Sequence, residues 1–279
     1  MGLIYGNGKT EKYFSMKPIN GLKKDLFSYR LNKEMNRTFN ILNDERWSPF
    51  MNHGYKNLDG SDVIQYNKED EKWSNRINLY THLVEVLKKY QLNFKELDVL
   101  DVGCGFGHGT SLLKKYYDFK NVTGLDFNGN FIKDAKSKFN NVEYVHASAT
   151  SLPFKNNSID IITNIESLHH YKHTHYFYRE AYRVLKSGGY LLTTDPYTPY
   201  ETDLIAEDFF ERSGFYMTDK INITPMVTKS CEEELKTFEI KHKDIGKEKI
   251  EYFKEILKEK YNSYSTNANV FLSYIYYKI

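Results

Sequence analysis

The run VLDVGCGFGHGT, residues 99–110, holds the chain's densest concentration of residue types suited to binding a small ligand. Gly103, Gly105 and Gly107 permit a tight turn and close approach of a ligand to the backbone. Amides at the start of a following helix would then point at that ligand. The spacing is Gly-x-Gly-x-Gly. A nicotinamide dinucleotide site wants Gly-x-Gly-x-x-Gly, and counted from Gly103 its third glycine falls on His108, which would obstruct close helix–strand packing. The pattern suits a nucleoside ligand without a pyrophosphate. Asp126, at the end of the next strand-like run, can accept hydrogen bonds from both hydroxyls of a ribose. A second concentration, NIESLHHYKHTH, places His169, His170, His173 and His175 within seven residues. A neutral imidazole there can take a proton from an attacking hydroxyl, with His170 preferred over His169. Asp195, ending a later strand-like run, would orient that imidazole. No cysteine or paired-carboxylate motif accompanies the histidines, so no metal is expected.

These residues need a scaffold, and residues 97–195 supply its signature. Short apolar runs at 97–103, 121–127, 142–147, 159–165 and 190–195 are rich in Val, Ile, Leu or Thr, as expected of strands buried on both faces. Helix-like stretches at 108–117, 129–138 and 174–186 separate them, the last with Phe177, Ala181, Val184 and Leu185 on one face and a stop at Gly188-Gly189. The alternation predicts right-handed βαβ units and a doubly wound, mostly parallel α/β sheet. Further on come a helix (203–213), a strand (215–223), a charged helical stretch (229–262) and a last strand (269–279) that would pair antiparallel with its neighbour. Upstream, Leu79, Leu83, Val86 and Leu87 recur at helical spacing.

Composition excludes several classes. The 39 basic residues nearly cancel the 37 acidic ones, leaving +2, whereas a protein that holds nucleic acid by its phosphates usually carries a larger excess. Two cysteines, Cys104 and Cys231, are too few for a disulfide framework. No apolar run is long enough to span a membrane, and the first residues lack a secretory pattern, so a cytoplasmic protein is expected. GNGKT at 6–10 is not a phosphate-binding loop, because the first glycine of that motif falls on Leu3.

VLDVGCGFGHGT, TGLDFNGNFI, HASATSLPFKNNSIDIITNIESLHHY and EAYRVLKSGGYLLTTD resemble, in that order, the successive motifs of class I S-adenosylmethionine-dependent methyltransferases. The resemblance implies a Rossmann-like fold with a seven-stranded sheet and S-adenosyl-L-methionine as cofactor. It implies that Asp101, Gly103, Gly105 and Gly107 shape the methionine pocket, with Cys104 a small residue in the turn. Asp126 would hold the ribose and Phe127 flank the adenine. Where relatives commonly place an Asp that accepts from the adenine amino group, this chain has Ser148 followed by Ala149. Asn164 would lie beside the methionine moiety. Glu166-Ser167-Leu168-His169-His170 resembles the Glu-Ser-x-x-His stretch of small-molecule methyltransferases, which puts the family histidine at His170. Asp195-Pro196-Tyr197 is similar to a motif of enzymes that methylate nucleobases, but it follows the fifth strand instead of the fourth and lacks a second proline.

Asn-His-Gly-Tyr within WSPFMNHGY (47–55) resembles an element of N-terminal lids, so Tyr55 would close over the cofactor, where an aromatic face attracts a cation by about 0.5–2 kcal/mol. Trp47, Phe50 and Tyr55 serve equally well as packing residues of a helical cap. WSNRIN (73–78) makes Asn75 or Arg76 a weaker candidate near the methionine group. The expected organisation is an N-terminal helical lid (1–95), a cofactor-binding core (96–223), an inserted helical cap (224–268) and a last core strand (269–279). The expected reaction is methyl transfer to a small organic acceptor, at oxygen ahead of nitrogen or carbon, in an enclosed pocket. A cofactor-holding subunit without catalysis is the rival reading. No nucleic-acid partner and no membrane span are expected, and the oligomeric state stays open.

Overall fold

Strand-like runs and amphipathic helices alternate in space as they do in sequence. The computed structural model describes residues 50–199 and 213–279, apart from 242, 244 and 245. Trp47, the run at 6–10 and the expected helix at 203–213, its last residue excepted, lie outside the described residues. Seven strands form one sheet: β1 (Asp98–Val102), β2 (Asn121–Asp126), β3 (Glu143–His146), β4 (Ile159–Ile165), β5 (Leu185–Tyr197), β6 (Phe215–Asn222) and β7 (Val270–Lys278). Their order is β3-β2-β1-β4-β5-β7-β6. The first five are mutually parallel, and β7 runs antiparallel to both neighbours. This order, with helices on both faces, is the doubly wound, mostly parallel sheet expected from the sequence.

The two faces of the sheet divide the apolar residues by strict alternation, as a pleated strand requires. Val99 and Ile161 face one layer, while their neighbours Leu100 and Ile162 face the other. α1 (Ser74–Leu87), which buries Ile77, Leu83 and Leu87, α2 (His108–Tyr116) and α5 (Thr224–Lys241) cover the first face. α4 (Thr174–Val184) covers the second with Phe177, Ala181 and Val184. Truncating a fully buried residue such as Leu83 to alanine would cost about 2–5 kcal/mol. α3 (Gly129–Lys138) packs Ile132 and Ala135 on Tyr144. Its N-cap is Asn128, whose side chain accepts from the amides of Asn130 and Phe131. Asp126 is thereby left to other work.

Two local expectations need correction. α4 stops at Val184, and Gly188-Gly189 lies inside β5. The register there jumps from the pair Ile159–Leu185 to the pair Ile161–Tyr190, so the glycines form a bulge that lets β5 begin early. The charged stretch at 229–262 is two helices, α5 and α6 (Lys247–Ser265), with Gly246 as the N-cap of the second. Upstream of α1, residues 50–70 carry no regular helix.

β7 is pinned at its end by Lys278. Its ammonium donates to Asn157 Oδ1 at 2.7 Å and to the carbonyls of Tyr182 and Leu185 at 2.7 and 2.6 Å. A polar chain also crosses the core below the lid: His82 Nε2 meets Ser273 Oγ at 2.9 Å, and Ser273 Oγ meets Thr194 Oγ1 at 2.9 Å.

Candidate active site

The loop from β1 to α2 turns back over the end of β2. Gly103 and Cys104 donate their amides to the Leu125 carbonyl at 2.7 and 3.0 Å. The three loop glycines have φ of +81°, +54° and +78°, the left-handed region where a Cβ is costly. Gly103 is the most constrained, since a Cβ there would lie 2.1 Å from Ser167 Oγ. Beneath the loop, Asp101 is buried and accepts from Thr110 Oγ1 at 2.7 Å and Thr163 Oγ1 at 2.8 Å. Burial pushes its carboxyl up to about 6. It is a strut of the loop, holding α2 and β4 together.

Asp126 ends β2 under the same loop. One oxygen accepts from the Gly105 amide at 3.0 Å and the other from the Asn128 amide at 2.8 Å. Burial raises this carboxyl to about 6 as well. Each oxygen retains acceptor capacity, so a vicinal diol could still be bound. Phe127 follows, half-buried, with its carbonyl accepting from His146 Nε2 at 2.9 Å. The Cys104 thiol is buried and its pKa raised by that burial. Asn164 is fully buried at the end of β4; its amide donates to Val102 O at 2.9 Å and Tyr171 Oη at 2.8 Å. Its Oδ1 has no partner among the described residues. Buried unsatisfied carbonyls are uncommon, and this one sits beside the loop as a ready acceptor.

A pocket opens along this loop. Gly103, Cys104, Gly105 and Phe106 line one side, Phe50, Met51, Asn52 and Tyr80 the lid side, with His108, Ile165 and Glu166 between them. Tyr80, Met51, Asn52 and Glu166 were not singled out in the sequence. Asn52 and Met51 fall within the stretch that resembles a lid element, which was a usable signal. Glu166 gave none.

Three expected placements differ. Tyr55 does not face the pocket; its ring stacks on His82 at 4.8 Å and 12°, inside the lid's own core. Its backbone is fixed there by Asn75 O at 2.7 Å and Asn78 Nδ2 at 3.0 Å. Ser148 is exposed, and its hydroxyl is spent on its own turn with Thr150, while Ala149 is buried. Asn75 and Arg76 are drawn to α5, Asn75 to Glu233 at 3.4 Å and Arg76 to Glu234 at 2.5 Å.

The histidine assignment also changes. Asp195 does not orient His170. It binds His169 twice, accepting from its backbone amide at 2.7 Å and meeting its Nδ1 at 2.8 Å. Leu168–His170 is one 3₁₀ turn, and it presents both the amide and the ring of His169 to Asp195 on β5. Burial alone lowers the His169 pKa, and the hydrogen bond and charge of Asp195 outweigh it, leaving the imidazole above its usual range. His170 lies beside it, ring centroids 3.9 Å apart, and is pushed down to about 4 by burial and by His169.

Glu166 adopts φ +50°, unusual for a non-glycine residue, and turns its buried carboxylate toward the lid. There it accepts from the His53 backbone amide at 2.6 Å and meets the His53 ring at Nδ1. Burial pushes Glu166 up, but the His53 contacts outweigh it and hold the carboxyl below the ordinary glutamate range. Among the described residues no group of His, Cys, Asp or Glu is arranged to hold a metal ion. None of the described helices is long and apolar enough to cross a membrane.

With this geometry in view, residues 100–193 match the family described as "Methyltransferase domain". Those residues form a methyltransferase domain, and its motifs are similar to those of the class I S-adenosylmethionine-dependent type. A fatty-acid O-methyltransferase of Mycolicibacterium smegmatis is 34% identical over 154 residues, 54% of this chain and 54% of that protein. A phthiotriol/phenolphthiotriol dimycocerosates methyltransferase of Mycobacterium leprae is 34% identical over 148 residues, 52% and 53% of the two chains. The chain thus spans about half the length of the curated relatives it matches. In three dimensions, a geranyl diphosphate C-methyltransferase from Streptomyces coelicolor superposes with a TM-score of 0.65 over 92% of this chain and 100% of that one, at 14% identity. That likeness is one of fold. It covers a larger share of the chain, 92%, than the 54% of the fatty-acid O-methyltransferase match.

Proposed function

We propose that this chain catalyses methyl transfer from S-adenosylmethionine to an oxygen of a small organic acceptor. The observation that carries the reading is the pairing of the glycine loop with Asp126. A backbone turn open to a ligand stands beside a buried carboxylate with spare acceptor capacity, and the unpartnered Oδ1 of Asn164 lies next to the same loop. These residues fit the cofactor: Asp126 would hold its ribose, and the loop with Asn164 its methionine end. The chemistry supplied by the bound cofactor is an electrophilic methyl group on a sulfonium sulfur. The protein's first contribution is alignment of acceptor, methyl and sulfur, worth about 7–11 kcal/mol in well-oriented systems. Its second is His169, held by Asp195 with Nε2 free to take the acceptor's hydroxyl proton as the oxygen attacks. Oxygen as the accepting atom is supported by the fatty-acid O-methyltransferase relative. A cytoplasmic setting is supported by the two buried free thiols, Cys104 and Cys231.

Calorimetric titration with S-adenosylhomocysteine, followed by transfer of labelled methyl from S-adenosylmethionine to a panel of hydroxyl and carboxyl acceptors, tests this. Saturable one-site binding and an O-methylated product are expected. Folded protein that binds no S-adenosylhomocysteine would overturn the cofactor. Binding without transfer to any acceptor would favour a non-catalytic subunit.

A further inference from the structure

Two lysines are withdrawn from solvent, and they are treated differently. Lys278 has three acceptors within 2.7 Å. Lys260, on α6, is partly buried and has neither a hydrogen bond nor an ion pair among the described residues. An ammonium carries three donors, and leaving them unmatched away from bulk water is costly.

The position of Lys260 follows from its helix. Tyr264, one turn further along α6, is buried and meets the His53 ring edge-on at 5.6 Å. Leu257, one turn before, is buried as well. Lys260 therefore lies on the inward face of α6, within electrostatic reach of Glu166, Arg76, Cys231, Glu234, His53 and His169. The carboxylates there are already engaged. Glu166 is taken by His53, Glu234 by Arg76, and Asp195 by His169. Arg76 is itself incompletely matched, since its Nε is buried without a partner. Within this cluster the Lys260 ammonium and the Arg76 Nε are the donors that no neighbouring carboxylate receives among the described residues. It borders the pocket directly: Glu166 lines the pocket, and so does Asn52, whose amide donates to the Arg76 carbonyl at 3.0 Å.

Resting on the methyltransferase reading above, we infer that the acceptor carries a carboxylate, received by Lys260 with Arg76 beside it, between the lid, α5 and α6. The anion supplies the acceptors that both cations lack, and its docking sets the rest of the acceptor against the His169 side of the pocket. Burial lowers the Lys260 ammonium from its ordinary value, which a bound carboxylate would reverse.

The test is direct binding to the full chain loaded with S-adenosylhomocysteine, using octanoate and phenylacetate against octanol and 2-phenylethanol. At least one acid should bind tenfold or more tightly than its matching alcohol. Lys260→Met should erase that preference while S-adenosylhomocysteine affinity stays within twofold, and Lys260→Arg should restore at least part of it. Equal binding of acids and alcohols by the wild-type protein overturns the inference, as does an acid preference that survives Lys260→Met. A fall of tenfold or more in S-adenosylhomocysteine affinity in Lys260→Met also overturns it, because the cations would then serve the cofactor's own carboxylate. Failure of the wild-type protein to bind S-adenosylhomocysteine at all is a separate result, which sinks the methyltransferase reading. The acid and alcohol titrations of unloaded protein would still decide the anion site.

Discussion

Gly105 and Asp126 meet across 21 residues of chain, whereas Arg76 and Glu234 meet across 158 and His53 and Glu166 across 113. The cofactor half of the pocket is built from one βαβ unit and the end of β4, largely by backbone groups in fixed turns. The acceptor side, as proposed, draws on side chains far apart in sequence, from residues 50–53, α1, the loop after β4, α5 and α6. A site made of local turns can be kept in many proteins while its opposite wall is rebuilt. The family match at residues 100–193 takes in the glycine loop and Asp126 but neither Arg76 nor Glu234. On the proposed reading, cofactor binding is therefore the shared side of the pocket and acceptor binding the particular one.

The comparison breaks most severely at Gly103. A side chain there would occupy a φ of +81° and collide with Ser167 Oγ at 2.1 Å. Strain of about 1–2 kcal/mol from the left-handed backbone and about 1–3 from overpacking add up. Gly103→Val should lower stability by about 2–5 kcal/mol and abolish S-adenosylhomocysteine binding, read by denaturant midpoint and calorimetry. Gly105→Val meets only the mobile end of Met51 at 2.6 Å and should be milder for stability. Equal tolerance at both positions would mean that the local half is less rigidly specified than its geometry implies.

His169, held by Asp195 after β4, is the proposed base. His169→Phe should lower turnover by about 10²–10⁴-fold with cofactor affinity unchanged, as expected for loss of a general base. His170→Phe should cost less than the His169 change, because no carboxylate orients His170. The pH profile adds a sign. Asp195 raises the His169 pKa, and the base acts only when neutral, so turnover should rise with pH through a value above the ordinary 6.5. Asp195→Asn should move that limb to lower pH. A limb near 4, the value to which His170 is pushed, would return the role to His170.

Asp126 tests the local half more gently. Asp126→Asn keeps the size and removes the charge, and should weaken S-adenosylhomocysteine binding by about 1.5–3 kcal/mol, the scale for a hydrogen bond to a charged group. Its carboxyl is raised to about 6. The ionised form accepts best, so wild-type affinity should be level above neutral pH and fall as pH drops through 6. The Asn variant should lack that dependence. Persistence of the acid limb in the variant would transfer it to Asp101, which is raised to about 6 as well.

The same division explains what could be read from the sequence. The sheet, its antiparallel last strand, the glycine loop and Asp126 rest on short-range rules of periodicity and turn chemistry, and these were legible. Choosing between His169 and His170 depended on the phase of a single 3₁₀ turn, which neighbouring residue types do not encode. Glu166 depended on a left-handed backbone at a strand end and on a partner 113 residues away. Lys260 resembled every other lysine of a charged helix until its inward face was known.

Tyr55 is the case where resemblance and packing disagree, and it supplies the smallest expected effect. The lid element around it is recognisable, yet its ring is stacked flat on His82 and absent from the pocket wall. Burial raises the Tyr55 hydroxyl pKa, so the group stays neutral at working pH and offers no charge to a ligand. Removing that hydroxyl changes neither the stack nor the two backbone hydrogen bonds that fix the residue. Tyr55→Phe should shift stability by no more than about 0.5 kcal/mol and leave S-adenosylhomocysteine affinity unchanged. Tyr80→Phe, on the pocket wall, should be the more sensitive of the two. If affinity instead fell by tenfold in Tyr55→Phe, the lid would have to swing when ligand binds, carrying Tyr55 off His82 and over the pocket. The contrast between a fixed local half and an assembled distant half would then become one between a fixed half and a moving one.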